Sequence, residues 1–146
     1  MKEMKYTPHQ KGKIILEQGE SLGYKYLILS LGTHPTAYVF IDKDNMFYKK
    51  HYDDINVDVH GGLTFSDDYL MNVLEYSDKY KCETLQRINY DWIIGWDYNH
   101  LGDYNTYYGG FKDKKWTTEE ILIDVFSVIA QLKIQDKLIR RKLWQI

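Results

Sequence analysis

Apolar residues recur along the chain in two rhythms, one suited to strands and one to a single helix. Tyr24-Lys-Tyr-Leu-Ile-Leu-Ser-Leu is rich in aromatic and branched residues and starts just after Gly23, which predicts a strand. Gly32-Thr-His-Pro turns the chain, with Pro35 holding His34 away from helical angles. Thr36-Ala-Tyr-Val-Phe-Ile-Asp predicts a second strand, close enough to pair with the first as a hairpin. Asn89-Tyr-Asp-Trp-Ile-Ile-Gly-Trp-Asp predicts a central strand, with Trp92, Ile94 and Trp96 on one face and Ile93, Gly95 and Asp97 on the other. Asn56-Val-Asp-Val-His alternates strictly, so a short strand is expected there, with Val57 and Val59 facing one way and Asp58 and His60 the other.

The helical rhythm comes last. Thr117 with Glu120 three residues on makes a capping box, and Ile121, Leu122, Val125, Val128, Ile129 and Leu132 follow on one stripe. That stripe is expected to lie on the sheet. Elsewhere the pattern is weak. Residues 1–20 read as irregular apart from a short edge strand at Lys13-Ile-Ile-Leu-Glu, and residues 66–88 read as a loop or a marginal helix near Tyr69–Tyr76. Residues 98–116 form a long Tyr/Gly/Asn-rich loop, a kind that in compact domains is usually functional or mobile. These elements predict an α+β fold within the broad α/β class: a small mixed or antiparallel sheet packed by a C-terminal amphipathic helix. One domain is expected over 1–146, with an irregular N-terminal segment (1–20) and a basic C-terminal extension (133–146).

Composition narrows the class. At 146 residues the chain can bury a sizeable core without disulfide support, and Cys82 is its only cysteine. That excludes an intramolecular disulfide and a thiolate zinc cluster, and it suits a reducing compartment. No apolar h-region follows the first residues, and no apolar run is long enough to span a bilayer. A cytoplasmic protein without a membrane partner is expected. Net charge is −2 but uneven: residues 1–39 carry +2, residues 40–110 carry −7 and residues 111–146 carry +3. An acidic middle suits a cation site or a solvated acidic face, and the small net charge argues against direct nucleic-acid binding. Fourteen Tyr and four Trp suit either a packed core or a sticky surface.

Candidate chemistry gathers in two segments, Asp58-Val-His60-Gly-Gly-Leu-Thr64 and Gly95-Trp-Asp97-Tyr-Asn-His100-Leu-Gly-Asp103. Each places imidazole and carboxylate where a strand gives way to a turn, a place where a rigid sheet presents side chains at an open edge. Asp97, His100 and Asp103 stand three apart, so one turn of helix after the strand would converge them. Gly102 lets the backbone bend tightly there, and Gly61 and Gly62 allow close approach beside His60. His60, Asp97, His100 and Asp103 make a donor set for one divalent metal ion, zinc foremost, with manganese, nickel or iron also compatible. Asp58 is either a fifth ligand or a carboxylate orienting His60. Four protein ligands would close a structural site, and three plus a water would make a catalytic one. A metal-free Asp/His network fixing a loop accounts for the same residues. His9, His34 and His51 read as surface histidines. No Gly-x-Ser-x-Gly elbow, P-loop or dinucleotide fingerprint occurs, and no catalytic residue is assigned. Tyr104 and Tyr107-Tyr-Gly-Gly-Phe read either as a binding lip beside the ion or as loop packing.

The segments "VHGGLTF" and "IGWDYNHLGDY", followed by "TTEEILIDVFSVIAQL", resemble a family of small phage and mobile-element proteins. That family carries V-H-G-G-L-T, an aromatic-rich G-x-D-x-x-H-x-G-D and a C-terminal helix. The resemblance covers roughly residues 22–132 and is specific only in these short stretches. It implies metal ligation by His60, Asp97, His100 and Asp103. Many members have Cys-Ala between the Asp and the His, where this chain has Tyr98-Asn99, so a thiolate ligand is missing. Similarity to a metal-containing anti-CRISPR protein implies a host protein as partner, specifically a type II CRISPR effector nuclease. Binding would block DNA loading, without turnover. A small metal-dependent hydrolase or nuclease, with Asp58 or Asp103 as general base, is the alternative.

Overall fold

The computed structural model describes residues 2–108, 110 and 112–145; Gly109 and Phe111 of the Tyr-rich loop lie outside the described residues. Among the described residues five strands, β1 (Lys13–Ser21), β2 (Tyr24–Ser30), β3 (Pro35–Ile41), β4 (Phe65–Ser77) and β5 (Cys82–Asp97), precede one α-helix, α1 (Thr118–Trp144), and a short 3-10 turn (Tyr52–Asp54) lies between β3 and β4. The strands close into a barrel in the order β1-β2-β3-β5-β4. All neighbours are antiparallel except β1 and β4, which run parallel and pair only at Lys13–Val73 and Ile14–Leu74. The expected α+β class holds. The sheet is mixed, and it closes on itself, so β1 is no edge strand.

Burial on two faces explains the apolar runs. Tyr24, Tyr26 and Ile28 of β2 join Ala37, Val39 and Ile41 of β3 and Ile94 and Trp96 of β5 in the cluster beneath the helix. Leu27, Leu29, Tyr38 and Ile93 point the other way and fill the barrel with Leu70 and Val73 of β4. A strand buried on both sides loses its alternation, which is why β2 reads as a continuous run. The helix begins as its sequence predicts: Glu120 N–H donates to Thr117 Oγ1 and Thr117 N–H to Glu120 Oε1. Ile121, Val125, Val128, Ile129 and Leu132 are wholly buried, each contributing about 1.5–3 kcal/mol. The helix runs on through the basic residues to Trp144. Among the described residues no helix is long and apolar enough to cross a membrane.

Two expectations need correction. Residues 66–88 are neither loop nor helix but most of a long β4–β5 hairpin. Asn56–His60 is not a strand: residues 56–59 have no regular structure and His60 begins a turn. Its backbone pairs with helix amides instead, since Asp58 N–H donates to Gln131 Oε1 while Gln131 Nε2 donates to Asp58 O and Gln135 Nε2 to Asn56 O. Val57 and Val59 still pack on the core, as their alternation implied. The N-terminal residues lack regular structure up to β1 but are tied down, with Thr7 N–H donating to Gly32 O and Thr118 Oγ1 to Lys2 O.

Candidate metal centre

Two glycine-bearing turns interlock at one end of the barrel. β5 ends at Asp97, paired with Thr36 of β3. The chain then makes a tight turn in which Asp103 N–H donates to His100 O and His100 N–H donates back to Asp103 Oδ2. Gly102 sits in that turn with φ +93, a conformation glycine adopts without strain. The other turn comes from His60-Gly61-Gly62. A Cβ built on Gly61 would lie 2.2 Å from His100 Cε1, so the imidazole rests directly on this glycine. Thr64 completes the joint by donating through Oγ1 to Asp97 Oδ2 at 3.0 Å.

The result is a compact donor group. His60, His100 and Asp103 each offer a ligand atom, and those atoms lie within 4.8 Å of one another. His60 Nε2 is 2.8 Å from Asp103 Oδ2 and 2.9 Å from Oδ1, donating to the carboxylate. His100 Nδ1 is 3.5 Å from Asp103 Oδ2 and 3.7 Å from Asp97 Oδ1. It is buried and makes no hydrogen bond among the described residues. A buried imidazole nitrogen without a partner needs an explanation, and a bound cation is one. Ligands about 2.0–2.1 Å from a tetrahedral ion stand roughly 3.3 Å apart. The His100 separations already match that, and the His60–Asp103 pair has to open by about half an ångström once Nε2 gives up its proton.

Aromatic and helical neighbours hold these ligands in place. The His60 ring stacks on Tyr98, with centroids 5.2 Å apart and planes 6° from parallel, and both rings lie 4.8 Å from Trp116. Trp116 Nε1 donates to Asp103 Oδ1 at 2.8 Å. Tyr98 is wholly buried, accepts from Trp96 Nε1 and donates to Asp124 Oδ2 on α1. Burial and the Asp124 carboxylate push its phenol pKa up, so it stays a neutral donor. Burial alone would push the Asp103 carboxyl up. Hydrogen bonds from the His100 backbone, His60 and Trp116 outweigh that and hold it below its ordinary value. The carboxylate is ionised, buried and hydrogen-bonded by three donors, a ligand preset for a cation.

Four of the five residues singled out in the sequence converge in this corner, three of them as the compact group and Asp97 beside it, facing His100. The helical turn expected to converge them is absent; the His100–Asp103 turn and the glycines do that work. Asp58 is exposed, and its backbone is spent on Gln131. Two contributors escaped sequence reading. Trp116 sits thirteen residues from Asp103, with nothing between them to announce contact. His34, expected at the surface, is largely buried next to the site: its Nδ1 lies 2.9 Å from Thr33 Oγ1 and 3.3 Å from Asn105 Nδ2. Pro35 immediately after it was the available signal, because that residue anchors Tyr98 through its carbonyl.

Compared with models of known protein families, with curated proteins and with solved structures, the chain matches none.

Proposed function

We propose that the chain is a metal-stapled binding protein. One divalent ion, zinc by its donor set, is held by His60, His100 and Asp103 with Asp97 as a fourth ligand, and it ties the loop after β5 to the His60 turn. The observation that carries this reading is the convergence of three donors around a buried His100 Nδ1 that has no hydrogen-bond partner among the described residues. Stapling matters because of what the loop displays. Leu101, between two ligands, is fully exposed, and Tyr107 and Tyr108 are exposed further along. An apolar tip on an ordered loop is a docking device, and Tyr is among the residues enriched at interfaces.

For the partner, the sequence resemblance supports a host defence protein, with the type II CRISPR effector nuclease as the first candidate. A second reading is favoured by the donor count. Three mutually close protein ligands leave a position for water, as in hydrolytic metal sites, with Asp97 near enough to act on it.

Elemental mass spectrometry on protein purified without a metal-affinity tag, before and after chelation, tests the ion. Near-stoichiometric zinc whose removal lowers the melting temperature is expected; no metal above background with an unchanged melt in chelator would end the proposal. The partner is tested by adding holo-protein to guide-loaded type II nuclease and measuring DNA binding. Loss of binding supports inhibition, and full binding at saturating protein removes this nuclease from consideration. Hydrolysis of phosphodiester or ester probes that depends on the metal would favour the second reading.

A further inference from the structure

Helix α1 carries a second apolar stripe that its burial on the barrel leaves partly exposed, with Phe126 also meeting Tyr26 of β2 edge-on, centroids 5.9 Å apart. Ile123, Phe126, Ala130, Ile134 and Leu138 recur at spacings of three and four, on the side opposite Ile121, Val125, Val128 and Leu132. Ile123 is 68% exposed, Phe126 43%, Ile134 59% and Leu138 52%. At 1.5 Å per residue the stripe runs about 22 Å along the helix. An apolar row of that length on the wet side of a helix marks an interaction surface.

We propose that this face pairs with the same face of a second copy of the chain, the two helices antiparallel about a two-fold axis at Ala130. Charge selects this occupant and this direction. The first half of the helix holds Glu119, Glu120 and Asp124 and no basic residue, while the second half holds Lys133, Lys137, Arg140, Arg141 and Lys142 against Asp136 alone. An antiparallel pair therefore sets each acidic half on the basic half of the other copy, and opposes the two helix dipoles, the positive end of each beside the negative end of the other. Internal pairing does not exhaust these charges. Glu120 is taken by Lys114, Asp124 by Tyr98 and Arg140 by Asp136, whereas Glu119 and Arg141 make no ion pair among the described residues. With the dyad at Ala130, Phe126 meets Ile134 of the second copy and Glu119 meets Arg141 of the second copy. The residue at the crossing is the smallest of the stripe, which lets two helices approach at the short end of the 8–10 Å range at a shallow angle. The same residues i and j exchange roles across the axis, as a two-fold interface requires.

The test uses the full chain and does not depend on the metal. Light scattering across a concentration series is expected to give twice the chain mass, falling to the chain mass in Phe126→Glu and in Ile134→Glu with helix content unchanged. Glu119→Lys should weaken the dimer at least tenfold at low salt, and adding Arg141→Glu in the same chain should restore it. In a Cys82→Ser background, Ala130→Cys should cross-link two copies under mild oxidation while Ile123→Cys should not, since antiparallel helices hold the two 123 positions far apart. A wild type that stays at the chain mass at all concentrations overturns the proposal and leaves the stripe to a different protein. Cross-linking through Ile123→Cys overturns the antiparallel arrangement.

Discussion

The imidazole of His100 lies on the backbone of Gly61, so close that a methyl group there would stand 2.2 Å from Cε1. Neighbouring Gly62 shares the left-handed backbone, φ +76 against +70, but a Cβ on it would meet nothing of the described residues within 4 Å. The two glycines therefore separate conformational strain from close approach, although they are adjacent in the chain.

Gly62→Ala should cost about 1–2 kcal/mol, the penalty of a left-handed non-glycine residue, and leave metal affinity intact. Gly61→Ala carries the same strain and must also expel the His100 ring, so it should lose metal affinity by at least tenfold and destabilise the fold further. Isothermal titration with zinc and urea unfolding of both variants check this. Equal affinities in the two would mean that His100 is not a ligand.

His100→Ala removes one donor and the ring that bridges the two turns. Saturation at a hundred times the dissociation constant stabilises a fold by about 2.7 kcal/mol, and the variant should forfeit most of that. Its melting temperature should fall in zinc yet sit close to that of chelated wild type. Hydrogen exchange should quicken over residues 98–108. A variant melting like the zinc-bound wild type would show that no ion staples this loop.

Trp116 donates from Nε1 to the buried carboxylate of Asp103 while packing on His60 and Tyr98. Trp116→Phe keeps the packing and deletes the donor. A hydrogen bond to a charged group is worth about 1.5–3 kcal/mol, so stability should drop by that order. The Asp103 pKa should rise, because one of the contacts holding it down is gone. Metal affinity should fall about tenfold, the lower end for residues that orient ligands. Carboxyl titration by NMR together with zinc titration measures both.

What could be read from the chain depended on how its patterns were made. β2, β3 and the late part of β5 are buried on both faces, and their apolar runs were plain. β4 and the start of β5 escaped because the ladder is interrupted twice: β5 carries two extra residues at Asp67/Tyr69, and β4 carries one at Leu70/Val73, which inverts the alternation there. Most residues from Glu75 to Arg87 are also exposed, so no face needed to be apolar. At the site, the glycines and the His/Asp spacing were legible because tight turns leave chemical signatures. Strict alternation at Asn56–His60 reflects packing of Val57 and Val59 on the core beneath a segment held by Gln131 and Gln135, and it leaves Asp58 exposed.

His34 provides a pH test. Burial holds its pKa below the ordinary 6.5, ahead of the pull of Asp97 and Asp103 in the other direction. Neutral His34 accepts at Nδ1 from Asn105 Nδ2 or Thr33 Oγ1, and protonation would set an N–H against the Asn105 amide donor, leaving the Thr33 hydroxyl to turn and accept. Because the folded pKa lies below the unfolded one, the unfolded chain binds more protons in the window between them. Stability from His34 is then fully present above about pH 6.5 and is lost as pH falls toward the folded value. Urea unfolding of chelated protein from pH 8 to pH 5 should show this decline, and it should be shallower in His34→Gln, which retains a side-chain acceptor without a titrating proton. The difference between the two curves isolates His34 from the other histidines, which both proteins share. Parallel curves would mean that protonated His34 is accommodated in the folded protein.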